Sequence, residues 1–259
     1  NTAERYGALK MISDMDCFKE FLFREVTAYT EPSIGVSDPS LSDKNWWNEL
    51  KHTPSFKPEY WSRYYDYLLK KPSWSITAVE NINSSTDEIM NSLTNPRKGM
   101  AGERMGMVFG YVQSGKTAHY IGMINKAYDA GYRIVIVLSG IHNSLRSQTQ
   151  SRIDEEVLGY ETSLESIGDM TRERNAIGVG IGPYNQVETP VQSITTRDEK
   201  GDVNKKTEGV SMMPPLMVVT KKNASVLRKI LRFFRKNYCA EIIGGKKKIP
   251  AKYPALIID

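Results

Sequence analysis

The chain has 259 residues, enough for one large domain or two small ones, and its 40 % hydrophobic and 25 % charged content is that of a folded globular protein. No run approaches the ~18 apolar residues of a spanning helix, and no basic-then-apolar leader is present, so the expectation is a cytoplasmic chain with no membrane association. Cys17 and Cys239, like His52, His119 and His142, are scattered, so neither a disulfide framework nor a zinc-ligand spacing is legible. The formal charge of +5 agrees with an anionic partner without naming one.

Residues 1–100 read as a helical, aromatic accessory region, with apolar periodicity in FKEFLFREV and WSRYYDYLL and a loop at EPSIGVSDPS between them. Ser85 followed by Glu88 has the capping-box spacing and predicts the start of a short helix, closed by NPRKGMAG. From Met107 the pattern changes to short apolar strands alternating with helices, as in a parallel α/β sheet. MVF at 107–109 predicts the first strand. The next helix places Tyr120, Ile121, Ile124 and Tyr128 on one face, Gly131 ends it, and RIVIVLS predicts a buried strand. The polar segment 161–213 reads as an irregular surface insertion. Beyond it come a strand at LMVVT, a helix from Ala224 capped by Asn223, a basic turn GGKKKIP and a last strand ALIID.

Between the first predicted strand and helix lies GYVQSGKT, a match to G-x-x-x-x-G-K-[ST] in the strand-loop-helix context that this motif requires. Its members Gly110, Tyr111, Val112, Gln113, Ser114, Gly115, Lys116 and Thr117 predict an ATP site with Mg²⁺. The glycines let successive N–H groups turn toward phosphate oxygens, Lys116 reaches the β- and γ-phosphates, and the Thr117 hydroxyl is a magnesium ligand. The helix that begins here adds its positive end.

Ligands of open α/β sheets bind at the carboxyl ends of the strands. SGIHNSLRSQTQSRID follows the second predicted strand, and its Asn143, Arg146, Gln148 and Gln150 read equally well as nucleic-acid backbone contacts or as the solvated face of a helix. Lys221, Lys222 and Asn223 end the third strand and read as a phosphate site or as an ordinary capped helix start. ALIID has the form of a Walker B strand, with Asp259 at its tip as the candidate catalytic and metal-associated carboxylate beside Lys116 and Thr117.

Taken together, WSITAVENINSSTDEIMNSLTNP, GYVQSGKTAHYIGMINKAYDAGYRIVIVLSGIHNSLRSQTQSRID, LMVVTKKNASVL and PALIID resemble the Z-one domain family, often labelled endonucleases, over about residues 60–259. That family is similar to superfamily II helicase-like ATPases and occurs in bacterial restriction and antiphage systems. The resemblance implies a RecA-like P-loop lobe over 101–259, DNA as partner, and protein partners within a defence system. Carried over, residues 110–117 correspond to the first helicase motif, Asn143 to Gln150 to the following DNA-contacting motif, Thr220 to Asn223 to the next strand-end DNA loop, and Asp259 to the edge of the acidic motif.

The sequence departs from that pattern by ending at Asp259, without the following glutamate, a second lobe or its arginine finger. The expectation is the N-terminal part of a larger ATP-hydrolysing DNA translocase, binding nucleotide but not turning it over alone. No carboxylate-and-lysine set for a nuclease can be singled out, so that activity comes from the resemblance alone. Two other classes share the phosphate loop: a P-loop kinase, whose lid and acceptor site are not visible here, and a nucleotide-gated protein interaction module.

Overall fold

The computed structural model describes residues 45–98, 104–108, 116–164, 174–182, 187–203, 214–238, 241–243 and 245–259. The protein is mixed α/β, with a four-stranded parallel sheet between two helical layers. The helices in chain order are α1 (Trp46–Lys51), α2 (Glu59–Lys70), α3 (Ile76–Ser92), α4 (Lys116–Ala130), α5 (Asn143–Ile153) and α6 (Ala224–Asn237). The strands are β1 (Ile134–Leu138), β2 (Gln192–Ser193), β3 (Leu216–Thr220), β4 (Glu241–Ile243), β5 (Lys246–Lys248) and β6 (Ala255–Ile258). The parallel sheet has the order β2-β3-β1-β6, and β4 and β5 form a separate antiparallel hairpin.

Strand alternation divides the core in two. Val135, Val137, Met217, Val219 and Leu256 point to the layer that contains α1 to α4. Ile134, Ile136, Leu216 and Val218 point the other way, onto Val226, Ile230, Phe233 and Phe234 of α6. The register pairs Ile134 with Leu216 and Val135 with Leu256, so each face is apolar across neighbouring strands. Burial on both faces is why β1 and β3 read as unbroken apolar runs.

The predicted α4 forms, but its environment differs from a one-faced amphipathic helix. Residues 121–128 are buried all round, because the sheet covers one side and α2 and α3 cover the other. Gly122 permits this: a Cβ there would lie 3.2 Å from the Trp61 ring and 3.3 Å from Ile82 and Thr86. The helices from the first hundred residues therefore share one core with the sheet. The N-terminal periodicity at FKEFLFREV and the loop EPSIGVSDPS lie outside the described residues.

Two polar side chains anchor this layer. Asp129, at the end of α4, accepts from the backbone N–H groups of Tyr60 at 2.9 Å and Trp61 at 2.8 Å, and so caps α2, whose preceding residue Pro58 offers no side-chain cap. Burial outweighs those two bonds and pushes its carboxyl up to about 7. Lys126 donates to Asp87 at 2.7 Å and to Asn83 at 2.7 and 2.9 Å, and lies 4.2 Å from the Trp61 ring centre. Asp87 also accepts from Trp47 Nε1 and from Lys51, both at 2.5 Å.

Three sequence expectations are corrected. Ser85 does not start a helix: it is buried inside α3, donating to the Ile82 carbonyl at 3.2 Å, and Ser75 is the N-cap, accepting from Ala78 N–H. Burial of Val79, Ile82 and Met90 carries the helix through the capping-box spacing. The segment 161–213 is not wholly a surface insertion, because 191–196 is buried and contributes β2, paired in parallel with β3. There Thr195 Oγ1 donates to Gln150 at 2.8 Å and accepts from Val219 N–H at 2.9 Å, so its polar atoms are satisfied inside. The basic run Lys246 to Lys248 forms β5 and is not merely a turn.

Candidate functional site

The carboxyl ends of β1, β3 and β6 lie at one edge of the sheet, and hydrogen bonds lace their loops together. Ser139 N–H donates to Thr220 O at 2.8 Å, and Lys222 N–H donates to Gly140 O at 2.7 Å. Lys221 Nζ reaches Asn143 Oδ1 at 2.5 Å, and Lys222 Nζ pairs with Asp259 Oδ1. Asn143, Lys221, Lys222 and Asp259, singled out from three separate segments, are thus brought to one place. The Lys222–Asp259 pair is about half exposed, so it contributes little and exchanges partners readily.

The start of α4 faces the same edge. Gly131, at φ 109°, reverses the chain after α4, and Tyr132 N–H bonds back to Ala127 O. Tyr128 OH donates to Leu216 O at 3.1 Å, which fixes the C-terminal end of α4 at the beginning of β3. The opposite end, with Lys116 exposed and Thr117 half-buried, therefore points toward the strands' carboxyl ends. The loop residues Gly110, Tyr111, Val112, Gln113, Ser114 and Gly115 lie outside the described residues.

The strand predicted at 107–109 is not formed over its described part. Met107 is 76 % exposed and Val108 is also exposed, with neither in a strand. Apolar character alone does not make a strand; it needs a neighbour to pair with, and 104–108 have none in the sheet.

Two of the residues read as candidate DNA contacts are interior. Arg146 is 0 % exposed and donates to the carbonyls of Thr196, at 2.8 Å, and Asp198. Gln150 is also 0 % exposed, donating to Asp154 at 2.9 Å and accepting from Thr195. Both tie α5 to the segment around β2, and their burial removes them from contact with a phosphate. Gln148 and Asn143 remain exposed on the same helix. Asn223 is occupied as the N-cap of α6, accepting from Ser225 N–H at 2.9 Å and Val226 N–H at 3.4 Å.

Ile141 and Leu145, which the sequence reading passed over, flank Asn143 at this edge and are 64 % and 48 % exposed. Their signal was two apolar residues in an otherwise polar strand-end loop. Behind α5 the chain continues as a π-helical turn, Asp154–Leu158, gripped by α2 and by its C-cap Lys71: Arg63 donates to Val157 O, Tyr67 to Glu155, and Lys71 to Glu156 at 3.1 Å. A cleft of about 530 Å³ opens there, lined among others by Arg63, Asp66, Tyr67, Lys70 and Glu155, and none of the expected site residues lines it.

Among the described residues no group of three or more His, Cys, Asp or Glu side chains is placed to hold a metal, and no helix is long and apolar enough to cross a membrane. The fold and the edge define a parallel α/β protein with lysines, amides and a carboxylate gathered at the strand ends. Set against known proteins, the chain has no match among protein-family models, curated proteins or solved structures.

Proposed function

We propose that this chain is the nucleotide-binding part of an ATP-hydrolysing, helicase-like protein acting on DNA, with a RecA-like P-loop lobe as its core. The observation that supports the reading is the direction of α4, which opens at Lys116 and Thr117 of the G-x-x-x-x-G-K-T motif toward the end of the sheet that carries the strand-end loops of β1, β3 and β6. The helix start offers N–H donors and a positive dipole end to phosphate, with Lys116 as a mobile cation. Thr117 and Asp259 supply a hydroxyl and a carboxylate, the hard oxygen donors that Mg²⁺ takes. When bound, that ion neutralises charge on the phosphates. Lys116 holds the β- and γ-phosphates, and Thr117 orients them at the helix start.

Lys221, Lys222, Asn143 and Gln148 form the nucleic-acid edge, with the lysines on phosphates and Ile141 and Leu145 offering apolar contact to bases. The test is a titration of a single-stranded oligonucleotide across a salt series, with and without MgATP. MgATP is expected to change the affinity by about fivefold or more, since the two ligands share one edge. Joint replacement Lys221→Ala/Lys222→Ala is expected to lower the salt slope by about 1.4, at ~0.7 per phosphate contact on a single strand. An unchanged slope and independent binding of the two ligands would remove nucleic acid from this edge.

A further inference from the structure

On the far side of the sheet from α1 to α4, helix α6 carries five cations and no carboxylate between Ala224 and Tyr238. Its apolar face, Val226, Ile230, Phe233 and Phe234, is committed to the core. Arg228, Lys229, Arg232 and Arg235 all lie on the exposed face, and among the described residues none of the four forms an ion pair. Arg228, Arg232 and Arg235 follow the i, i+4, i+7 spacing of a single stripe, roughly 10 Å long at 1.5 Å per residue.

Helix stability accounts for Arg235, which sits in the last turn where a cation is favoured, but not for the rest of the stripe. Like charges three and four residues apart repel, and α6 has no acidic residue in its first turn to complement its positive end. Arg228 and Lys229 sit in its first two turns, at the end where cations are least favoured. A polyanion laid along the helix relieves both penalties.

We infer that the exposed face of α6 is a docking surface for the phosphate backbone of duplex nucleic acid. The stripe begins where Lys221 and Lys222 end, at the N-cap Asn223, so a basic track runs from the sheet edge down the outer face of the molecule. Three of its cations are arginines, whose planar forks match phosphate oxygens in pairs. An anionic membrane is a poorer fit, because a helix lying in a bilayer needs a free apolar face and that of α6 is already buried. An acidic peptide is a poorer fit too, because the arginines repeat along one exposed helix face at a spacing that suits a rigid, evenly charged rod better than a flexible chain. This surface goes beyond the strand-end contacts proposed above and does not require the nucleotide reading.

The test is fluorescence anisotropy with a labelled duplex of about 24 base pairs of mixed sequence, over roughly 50 to 200 mM salt. The unaltered chain is expected to bind the duplex with a steep inverse salt dependence. Arg228→Gln/Arg232→Gln/Arg235→Gln is expected to lower the slope by about 2.7, at ~0.9 per duplex phosphate contact, and to weaken binding at about 0.1 M salt by roughly a hundredfold. The matching triple Arg→Lys variant keeps the charge and is expected to retain most of the slope, which separates charge from misfolding. An equal slope in the glutamine variant overturns the inference. So does a chain that ignores the duplex but binds phosphatidylserine vesicles or polyglutamate through the same arginines. MgATP affinity is measured on the same samples: its loss or absence bears on the phosphate loop, whereas the duplex slope bears on α6.

Discussion

Replacing Asp87 with alanine is expected to lower the unfolding free energy by about 3 to 5 kcal/mol at neutral pH, because it strands a buried cation. Lys126 is only 1 % exposed and is held by Asp87, Asn83 and the Trp61 ring. Burial lowers its pKa to about 8, with the Asp87 carboxylate opposing that shift. On Asp87 itself burial acts upward and is the largest single influence, but the Lys126 charge and the hydrogen bonds from Lys126, Lys51 and Trp47 together outweigh it, and the carboxyl lies below its ordinary value. Removing the carboxylate leaves only the weaker pull of Asp129 and the Asn83 acceptors to oppose desolvation of the ammonium. Between the folded and unfolded pKa values of Lys126 the unfolded chain binds more protons, so stability rises with pH there. In the variant that rise starts at lower pH. Urea unfolding across pH 7 to 10 checks both parts, and Asp87→Ala/Lys126→Met is expected to be more stable than Asp87→Ala alone. A loss below about 1 kcal/mol would show that Lys126 is not held as described.

Arg146→Ala is expected to cost about 3 to 5 kcal/mol, combining a cavity with two carbonyls, those of Thr196 and Asp198, left without their donor. The guanidinium shares the tie between α5 and the segment after β2 with Ser147, which donates to the Arg197 carbonyl, and Gln150, which accepts from Thr195, so its loss loosens the turn without freeing Thr195 from Gln150 and Val219. Urea unfolding measures the cost. Oligonucleotide binding below the unfolding range is expected to keep the salt slope of the unaltered chain. A variant that stays fully stable while its salt slope falls by about one would return Arg146 to the nucleic-acid edge.

The elements most legible in the sequence were those whose signal is local. LMVVT and RIVIVLS are buried on both faces and therefore apolar throughout, Asn223 sits at the capping position, and Gly131 supplies the positive φ that ends α4. Long-range packing decided the rest. Asn125 and Lys126 look like a solvated face of α4 until α2 and α3 cover it. Arg146 and Gln150 have the composition of a phosphate-binding helix, yet the hydroxyl-rich segment 191–196, which reads as loop, folds against them and supplies their partners. At 107–109 apolar residues suggested a strand, but strand formation depends on a neighbour that local sequence does not specify. Of the candidate site, the gathering of Asn143, Lys221, Lys222 and Asp259 was anticipated from the rule that strand ends converge, whereas the ties among them were not. The arginines of α6 carry no local signal of a site, because a basic helix face is ordinarily just solvated; that no carboxylate among the described residues pairs with them becomes telling only once the helix's other face is seen to be buried.

The central claim is that Lys116 and Thr117 open a phosphate site, and isothermal titration of MgATP into the unaltered chain and into Lys116→Ala tests it most directly. Lys116 is exposed at the helix start, so its replacement is expected to leave the fold intact and to move the thermal unfolding midpoint by no more than a few degrees. The unaltered chain is expected to bind MgATP, and the variant to lose at least about a hundredfold in affinity, or ~2.7 kcal/mol, with the cation on the β- and γ-phosphates. Equal MgATP affinity in the two proteins would contradict the assignment.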